Sequence, residues 1–215
     1  MKSGGTELAG REVSAHAPEV KLLAPNGGES WPAGSQQTVR WSAGDADGES
    51  LVFSLQYSRD GGVTWAALAA NLQGTEHTVT TDALGGSAQA LIRVIASDGV
   101  NTGVDTSNAT FTVARKAPEA YLLSPEEGAA FTPGAEVELD GLASDLEDGP
   151  LGDGALVWTS DRQGVLGTGR HLALSTLRPG PHTLTLTATD SDAMTGAASV
   201  TIYVARPVWL PLVQK

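Results

Sequence analysis

The chain repeats part of its own sequence at a spacing of 100 residues. Six matches share this spacing: Pro18 with Pro118, Glu19 with Glu119, Leu22-Leu23 with Leu122-Leu123, Pro25 with Pro125, Gly34 with Gly134, and Asp45 with Asp145. So many identities at one offset indicate that a single module has been used twice. Because 215 residues are enough for two small domains, the repeat predicts two similar folded units.

Short apolar runs within each copy have the pattern of β-strands. Residues 51–58 alternate with a period of two, and Phe111-Thr112-Val113 closes the first copy in the same way. The 26 Gly and 11 Pro residues fall between such runs and indicate turns. About seven strands in roughly 95 residues match the count and spacing of an immunoglobulin-like or fibronectin-III-like sandwich. We therefore predict an all-β chain of two tandem immunoglobulin-like β-sandwich domains.

Changes in composition along the chain predict the domain boundaries. We expect a flexible leader over residues 1–17, β-sandwiches over residues 18–114 and 118–205, a linker at residues 115–117, and an apolar tail over residues 206–215. The leader lacks the apolar segment of a signal peptide, and no apolar run is long enough to span a bilayer. The chain is then either cytoplasmic or a piece of a longer secreted protein, and we favour the piece.

Charge and cysteine content exclude several classes of function. A formal net charge of −12 does not provide the basic face that nucleic acids and anionic membranes attract. The chain has no Cys, which excludes disulfides, thiolate metal sites and Cys nucleophiles. The sequence also lacks a nucleophile elbow, a phosphate-binding loop and a paired-His zinc motif. We therefore predict no catalytic residues, no nucleic-acid partner and no membrane insertion.

An acidic loop occupies the same place in each copy, at residues 44–51 and 143–151. In an immunoglobulin-like topology, the second loop lies at the same end of the sandwich as the segment after the sixth strand. Calcium takes about six to eight oxygen ligands, many of them carboxylates. We therefore predict a candidate Ca²⁺ site in the second copy, with the ligands Asp145, Glu147, Asp148 and Asp190. The alternative is that Asp and Gly serve only as turn formers, and this alternative is stronger for the first copy.

One stretch of the first copy, Ser58-Arg59-Asp60-Gly61-Gly62-Val63-Thr64-Trp65, matches the pattern Ser-x-Asp-x-Gly-x-Thr-Trp. It resembles the Asp-box hairpin turn, which is repeated in sialidase propellers and found singly in other extracellular β-modules. A sialidase would need several such boxes and an arginine cluster. We therefore predict a local turn in which Asp60 accepts amide hydrogen bonds, Gly62 has a positive φ and Trp65 packs back over the hairpin.

Two tryptophans are candidates for ligand binding. Trp41 and Trp158 lie within strand patterns and are predicted to be core residues. Trp31, beside Pro32, and Trp65 are predicted to be exposed, where they could stack on a sugar. The alternative for both is an aromatic side chain that caps a turn.

Both copies resemble modules of bacterial extracellular proteins. The first carries Pro25-Asn26-Gly27-Gly28-Glu29, which resembles fibronectin-III-like repeats. The second carries Leu123-Ser124-Pro125, the acidic loop and Trp158-Thr159-Ser160-Asp161, which resemble bacterial Ig-like, PKD-like and cadherin-like modules. The resemblance covers residues 18–205. It implies secretion or attachment to the cell surface, calcium binding in some members, and a structural hydrogen-bonding role for His182.

The tail is unusually apolar, with Pro207-Val208-Trp209-Leu210-Pro211-Leu212-Val213 at its centre. It resembles the Tyr-Leu-Pro-Leu-Val-type endings of some bacterial exported proteins. We expect it either to lie on the second copy or to be donated to a neighbouring molecule as an edge strand, since two prolines confine it to an edge.

These features predict a non-catalytic structural, spacer or adhesion region of a secreted or cell-surface bacterial protein. Its partners would be other domains of the same polypeptide or further copies of itself, joined through the C-terminal tail. The alternative is an accessory module of an extracellular hydrolase that binds carbohydrate or a surface protein. The fold alone does not decide between these functions.

Overall fold

The computed structural model describes residues 14–206, together with the backbone of two short strands near the N-terminus. The chain divides into two compact units between Arg115 and Lys116, here called module one and module two. Each is a β-sandwich with its own apolar core, so the predicted fold class is confirmed. Within the described residues, no helix has the length and apolar character needed to cross a membrane.

The strands follow one another with short connections. Those of module one are β1 (Lys2–Ser3), β2 (Thr6–Glu7), β3 (Glu19–Ala24), β4 (Ser30–Trp31), β5 (Gln36–Gly44), β6 (Val52–Ser58), β7 (Ala66–Leu72), β8 (Glu76–Thr80), β9 (Ser87–Ser97), β10 (Thr102–Thr106) and β11 (Phe111–Val113). Those of module two are β12 (Glu119–Ser124), β13 (Ala130–Phe131), β14 (Val137–Asp145), β15 (Gly149–Pro150), β16 (Leu156–Ser160), β17 (Gly164–Thr168), β18 (His171–Leu174), β19 (Gly180–Thr189) and β20 (Thr195–Val204). Single 3-10 turns lie at Thr81–Ala83 and Asp153–Ala155.

Both modules divide their N-terminal strand between the two sheets. In module one, β3 pairs with β5 in a small sheet of order β3-β5-β8. The chain then crosses to the large sheet, of order β4-β11-β9-β6-β7, where β4 runs parallel to β11. In module two, β12 pairs with β14, and β13 runs parallel to β20. The repeat seen in the sequence is therefore a repeat of topology.

The core of each module forms where the alternating strands face each other. Trp41 of β5 and Trp158 of β16 are 2% and 0% exposed, as predicted for core residues. Trp158 donates its Nε1–H to the carbonyl oxygen of Gly169 at 3.0 Å. Burial of each large apolar side chain stabilises the fold by about 1.5–3 kcal/mol. The two cores are separate, so each module has the means to fold by itself.

A glycine lies under the first proline of each module. A Cβ atom on Gly103 would be 2.0 Å from the carbonyl oxygen of Pro18, and one on Gly196 would be 1.7 Å from that of Pro118. Only glycine permits this approach of the entering chain to β10 or β20. The two glycines are not 100 residues apart, so the repeat in the sequence does not reveal them.

The chain enters and leaves each module at opposite ends of the sandwich. At the entry of module one, Pro18 contacts Gly103, which is paired with Ala96 near the end of β9. At the exit, Val113 is paired with Ser87, the first residue of β9. Module two repeats this relationship, since Gly196 pairs with Ala188 near the end of β19 and Val204 pairs with Gly180 at its start. Strands β9 and β19 have 11 and 10 residues, so entry and exit are roughly 30 Å apart.

Candidate metal site in the acidic loops

The acidic loop of module one gathers three carboxylates. Oxygens of Asp45, Asp47 and Glu49 lie within 4.8 Å of one another, and no other group of three acidic, His or Cys side chains in the described part of the chain is so close. Asp45 accepts the amide of Asp47 through Oδ1 at 2.8 Å. Oδ2 of Asp45 and Oε2 of Glu49 are buried and have no hydrogen-bond partner. Such buried oxygens are costly unless a proton or a cation neutralises them.

Asp47 binds the segment that precedes β3. Its Oδ2 accepts hydrogen bonds from the Ser14 hydroxyl at 3.0 Å and from the amides of Ala15 and His16 at 2.8 and 2.9 Å. Its Oδ1 lies 2.8 Å from Nδ1 of His16. The Asn101 side chain donates to the carbonyl oxygens of Ser14 and His16 at 3.1 and 3.2 Å. Residues 14–16, which the sequence assigns to a leader, are thus hydrogen-bonded to side chains of module one.

Hydrogen bonding between Asp47 and His16 shifts the pKa values of these two side chains in opposite directions. The bond from the His16 side chain, followed by that from the His16 amide, holds the pKa of Asp47 well below its ordinary value of 3.8. The same bond to Asp47, together with the charge of that carboxylate, raises the pKa of His16 above 6.5. Asp47 is therefore ionised at neutral pH and contributes a full negative charge to the cluster.

The predicted calcium ligands of module two are held in place by the protein. Asp145 is only 6% exposed; its Oδ1 accepts the amides of Glu147 and Asp148 at 2.7 and 2.8 Å, and its Oδ2 is buried without a partner. Asp148 accepts the amide and hydroxyl of Ser191 at 2.8 and 2.9 Å. Asp190 Oδ1 accepts the amides of Asp192 and Met194 at 2.9 and 2.8 Å.

The bonds between Asp148 and Ser191 show that the acidic loop and the segment after β19 meet at one end, as predicted. Asp145, Glu147, Asp148 and Asp190 nevertheless do not form a close carboxylate group of the kind found in module one. The donor set at Asp45, Asp47 and Glu49 fits a hard cation such as Ca²⁺ better, because its three carboxylates are adjacent and two of them, those of Asp45 and Glu49, have a buried oxygen without a donor, whereas the set predicted for module two has one such oxygen, on Asp145. Calcium binding in either module stays a prediction.

The Asp-box stretch forms the predicted turn. Asp60 accepts the Thr64 amide through Oδ1 at 2.8 Å and the Ser58 hydroxyl through the same oxygen at 2.8 Å. The Thr64 side chain bonds to Oδ2 at 2.5 Å. The bonds from Thr64 and then from Ser58 lower the pKa of Asp60 to about 2. Gly62 has φ 92°, as expected for this turn. The motif is thus explained by local structure.

Only one of the two candidate ligand-binding tryptophans can meet a ligand. Trp31 is 4% exposed, so its prediction as an exposed stacking residue is wrong. Strand β4 pairs with β11 and turns the indole into the core, where its ring centroid lies 4.7 Å from that of Phe111. Trp65 is half-buried, with Nε1 donating to the Gly62 carbonyl oxygen at 3.0 Å. The guanidinium of Arg93 lies 4.2 Å from the centroid of the Trp65 ring and covers one of its faces.

A buried Ser–His pair in module two was not predicted from sequence. Nδ1 of His182 lies 2.8 Å from Oγ of Ser160, and Nε2 lies 2.7 Å from the carbonyl oxygen of Arg178. Since a carbonyl only accepts, Nε2 carries the proton of its bond to Arg178, and in the neutral imidazole Nδ1 accepts from the Ser160 hydroxyl. The two residues are 0% and 3% exposed, so this pair is enclosed and acts as a structural link. It agrees with the role that the resemblance implies for His182.

Comparisons with known proteins find solved structures that are similar at low identity. No protein-family model matches the chain, and no curated protein matches it. The fibronectin(III)-like modules of Clostridium thermocellum CbhA are 20% identical, with 86% of this chain and 94% of that chain covered and a TM-score of 0.37. A titin fragment is 14% identical over 89% of this chain and 100% of its own, with a TM-score of 0.40.

The four N-terminal Ig domains of Dscam1 isoform 9.44 are also similar, at 12% identity and a TM-score of 0.42. Here 88% of this chain is covered, but only 46% of the longer Dscam1 chain. At these identities and TM-scores, the similarities carry no functional assignment.

Proposed function

We propose that this chain is a non-catalytic spacer region of a secreted or cell-surface bacterial protein. In this function it holds other domains of the same polypeptide at a set distance, and it associates with further copies of itself through the C-terminal tail. The supporting observation is that the chain enters and leaves each module at opposite ends. A module of this kind separates whatever precedes it from whatever follows it by roughly 30 Å.

The pairing of the terminal strands suits a region under tension. In module one, the amide of Thr112 donates to the carbonyl oxygen of Glu29, and that of Ala114 donates to that of Trp31, both at 2.9 Å. In module two, the amides of Tyr203 and Ala205 donate to Ala129 and Phe131 at 2.8 and 2.9 Å. Because the paired strands are parallel, pulling the chain ends apart slides the strands along each other. These hydrogen bonds then resist the pull together instead of opening one after another.

Single-molecule pulling on the whole chain through terminal handles tests the spacer function. We expect two discrete unfolding events, each releasing roughly 300 Å, because about 90 residues extend by about 3.5 Å each and a 30 Å module is lost. Thr112→Pro should lower the unfolding force of one event, because proline has no backbone N–H to donate to the Glu29 carbonyl oxygen. Thr112→Ala is the matched control, since it keeps that donor. Gradual extension without discrete events, or equal forces in both variants, would contradict the proposal.

The alternative, an accessory binding module, has a narrower basis than the sequence indicates. Carbohydrate stacking rests on Trp65 alone, since Trp31 is in the core. An apolar outer surface of module one favours a protein partner instead. A glycan array with this chain and its Trp65→Ala variant tests the carbohydrate hypothesis. Binding that is lost in the variant would favour the accessory role over the spacer role.

A further inference from the structure

The two outer faces of module one differ in chemistry. The small sheet presents charged side chains to solvent, namely Glu19, Lys21, Arg40 and Glu76. The outward positions of β6, β9 and β10, all within the described residues, contain no carboxylate: Val52, Ser54, Gln56, Leu91, Arg93, Ile95, Ser97, Thr102, Val104 and Thr106. A solvent face of an antiparallel sheet is normally polar. Four of these ten positions, Val52, Leu91, Ile95 and Val104, are instead apolar, which marks this outer face as a candidate interaction surface.

The centre of this outer face is formed by Val52, Ile95 and Val104. Val104 is paired with Ile95 and is 54% exposed, and Val52 is 38% exposed. Next to Ile95 and Val52 is a groove of about 380 Å³, whose other lining residues include Ser54, Asn71 and Asp98. The Asp98 carboxylate accepts the amides of Val100 and Asn101, both at 2.6 Å, and is only 4% exposed.

The one charge on this face is held by its neighbours. Arg93 stacks on the Trp65 ring at 4.2 Å and donates its Nε–H to Oε1 of Gln56 at 2.8 Å. The face is therefore neutral to weakly basic, whereas the whole chain has a net charge of −12. Two copies of an acidic chain repel each other. The repulsion is smallest for a contact that involves this face, because the face carries no net negative charge.

The size of the face favours an extended segment over a whole domain. Three strands are about 14 Å wide, and the outward residues 91–97 of β9 extend over about 20 Å, which gives roughly 300 Å². Two such faces packed together would bury roughly 600 Å². Stable interfaces between folded proteins bury about 1,200 Å² or more. A segment laid along the strands would also bury roughly 600 Å² in total, so the face suits a weak contact with a short segment, which does not need the area of a stable interface between folded domains.

We propose that this face of module one binds the apolar C-terminal tail, residues 207–213, of a second copy of the chain. The inference rests on the proposed self-association and names its acceptor. The tail lies outside the described residues, but its sequence is uncharged between Arg206 and Lys215. Seven extended residues cover about 22 Å, which matches the length of the face. Trp209 is the large amphipathic side chain suited to the groove beside Val52 and Ile95.

Tail and face are different surfaces, so the contact is heterologous. Each copy offers one tail and one face, and association continues into open chains unless a ring closes. Sedimentation velocity of the full chain over rising concentration tests this. Val104→Asp and Val104→Arg should both weaken association by about tenfold or more, as should Trp209→Ala. Leu23→Asp is the matched control, because Leu23 is 51% exposed on the opposite face of the same module.

Mixing two defective variants gives the sharpest result. Val104→Asp keeps its tail and Trp209→Ala keeps its face, so an equimolar mixture should form dimers, although each alone is monomeric. Failure of the mixture to dimerise would overturn the inference. Association could also be lost on deleting residues 207–215 but unchanged in the Val104 variants. That result would show that the tail binds a surface other than this face of module one, and it would still agree with the proposed self-association. A wild-type chain that stays monomeric throughout would overturn both.

Discussion

The imidazole of His16 and the carboxylate of Asp47 form a hydrogen-bonded pair at the entry to module one, with Nδ1 2.8 Å from Oδ1. The pair joins the residues before β3 to the acidic loop. The amides of Ala15 and His16 bind the same carboxylate. Asp47 therefore holds residues 14–16 against module one.

This pair predicts a pH dependence for module one. The pKa of His16 is raised above 6.5. The stability that protonated His16 gives to module one is therefore complete below pH 6.5 and is lost as pH rises through the raised pKa. The pKa of Asp47 is lowered from 3.8. The stability that the Asp47 carboxylate gives to module one is therefore present above pH 3.8 and is lost as pH falls through the lowered pKa. An NMR titration of the His16 ring should give a pKa above 6.5 that returns toward 6.5 in Asp47→Asn. A wild-type value at or below 6.5 would contradict the pairing.

Substitution of Gly196 should destabilise module two. Gly196→Ala places a Cβ atom against the Pro118 carbonyl oxygen, which forces β20 and the entering chain apart at a cost of about 1–3 kcal/mol. Gly152→Ala is the control, because Gly152 has open space around it and an ordinary φ of −81°. Denaturant unfolding measures both free energies. Equal stability of the two variants would show that the close approach does not exist.

Loss of the buried imidazole should also destabilise module two. His182→Leu removes the imidazole that bonds to the buried Ser160 hydroxyl and to the Arg178 carbonyl oxygen, which should cost about 2–4 kcal/mol. His171→Leu is the comparison, since His171 is largely exposed on β18 and should change stability by about 0.5 kcal/mol or less. Thermal melts of the two variants measure the loss of stability in each. A small effect at His182 would mean that water replaces the imidazole.

Calcium binding has a test that separates the two modules. If Ca²⁺ binds the folded chain, a concentration ten times Kd stabilises it by about 1.4 kcal/mol and raises the melting temperature. The geometry predicts that Asp45→Asn removes this rise and Asp145→Asn does not. The reverse result would support the ligand set expected from sequence. A melt that is the same in EDTA and in Ca²⁺ would leave both loops as turns.

The sequence was most informative where one residue type is needed for a local reason. Asp60, Gly62 and Trp65 have the positions in the turn that their chemistry requires. The spacing of 100 residues placed the first three strands of both modules in correspondence. Strand β7 was not predicted, because residues 66–72 are mostly Ala, which has a low β-propensity. It forms a strand because Leu68, Ala69 and Leu72 pack against the core.

The candidate site was harder to predict because it depends on contacts distant in sequence. Trp31 is buried because β4 pairs with β11, about 80 residues further along the chain. The acidic clusters differ because Asp47 meets the segment before β3, whereas Asp148 meets Ser191. No local pattern distinguishes these two outcomes. The composition of the loops indicates carboxylates, and only the fold shows which of them approach each other.

The parallel pair of β4 and β11 sets the order in which the modules are completed during synthesis. Module one cannot close until Val113 has been made, and the competing strand β13 begins 17 positions later at Ala130. At about 5–20 residues per second, that gives β11 a lead of about 1–3 s. Sandwiches of this kind fold in milliseconds to seconds. Strand β11 is therefore available to β4 about 1–3 s before the equivalent strand β13 has been made.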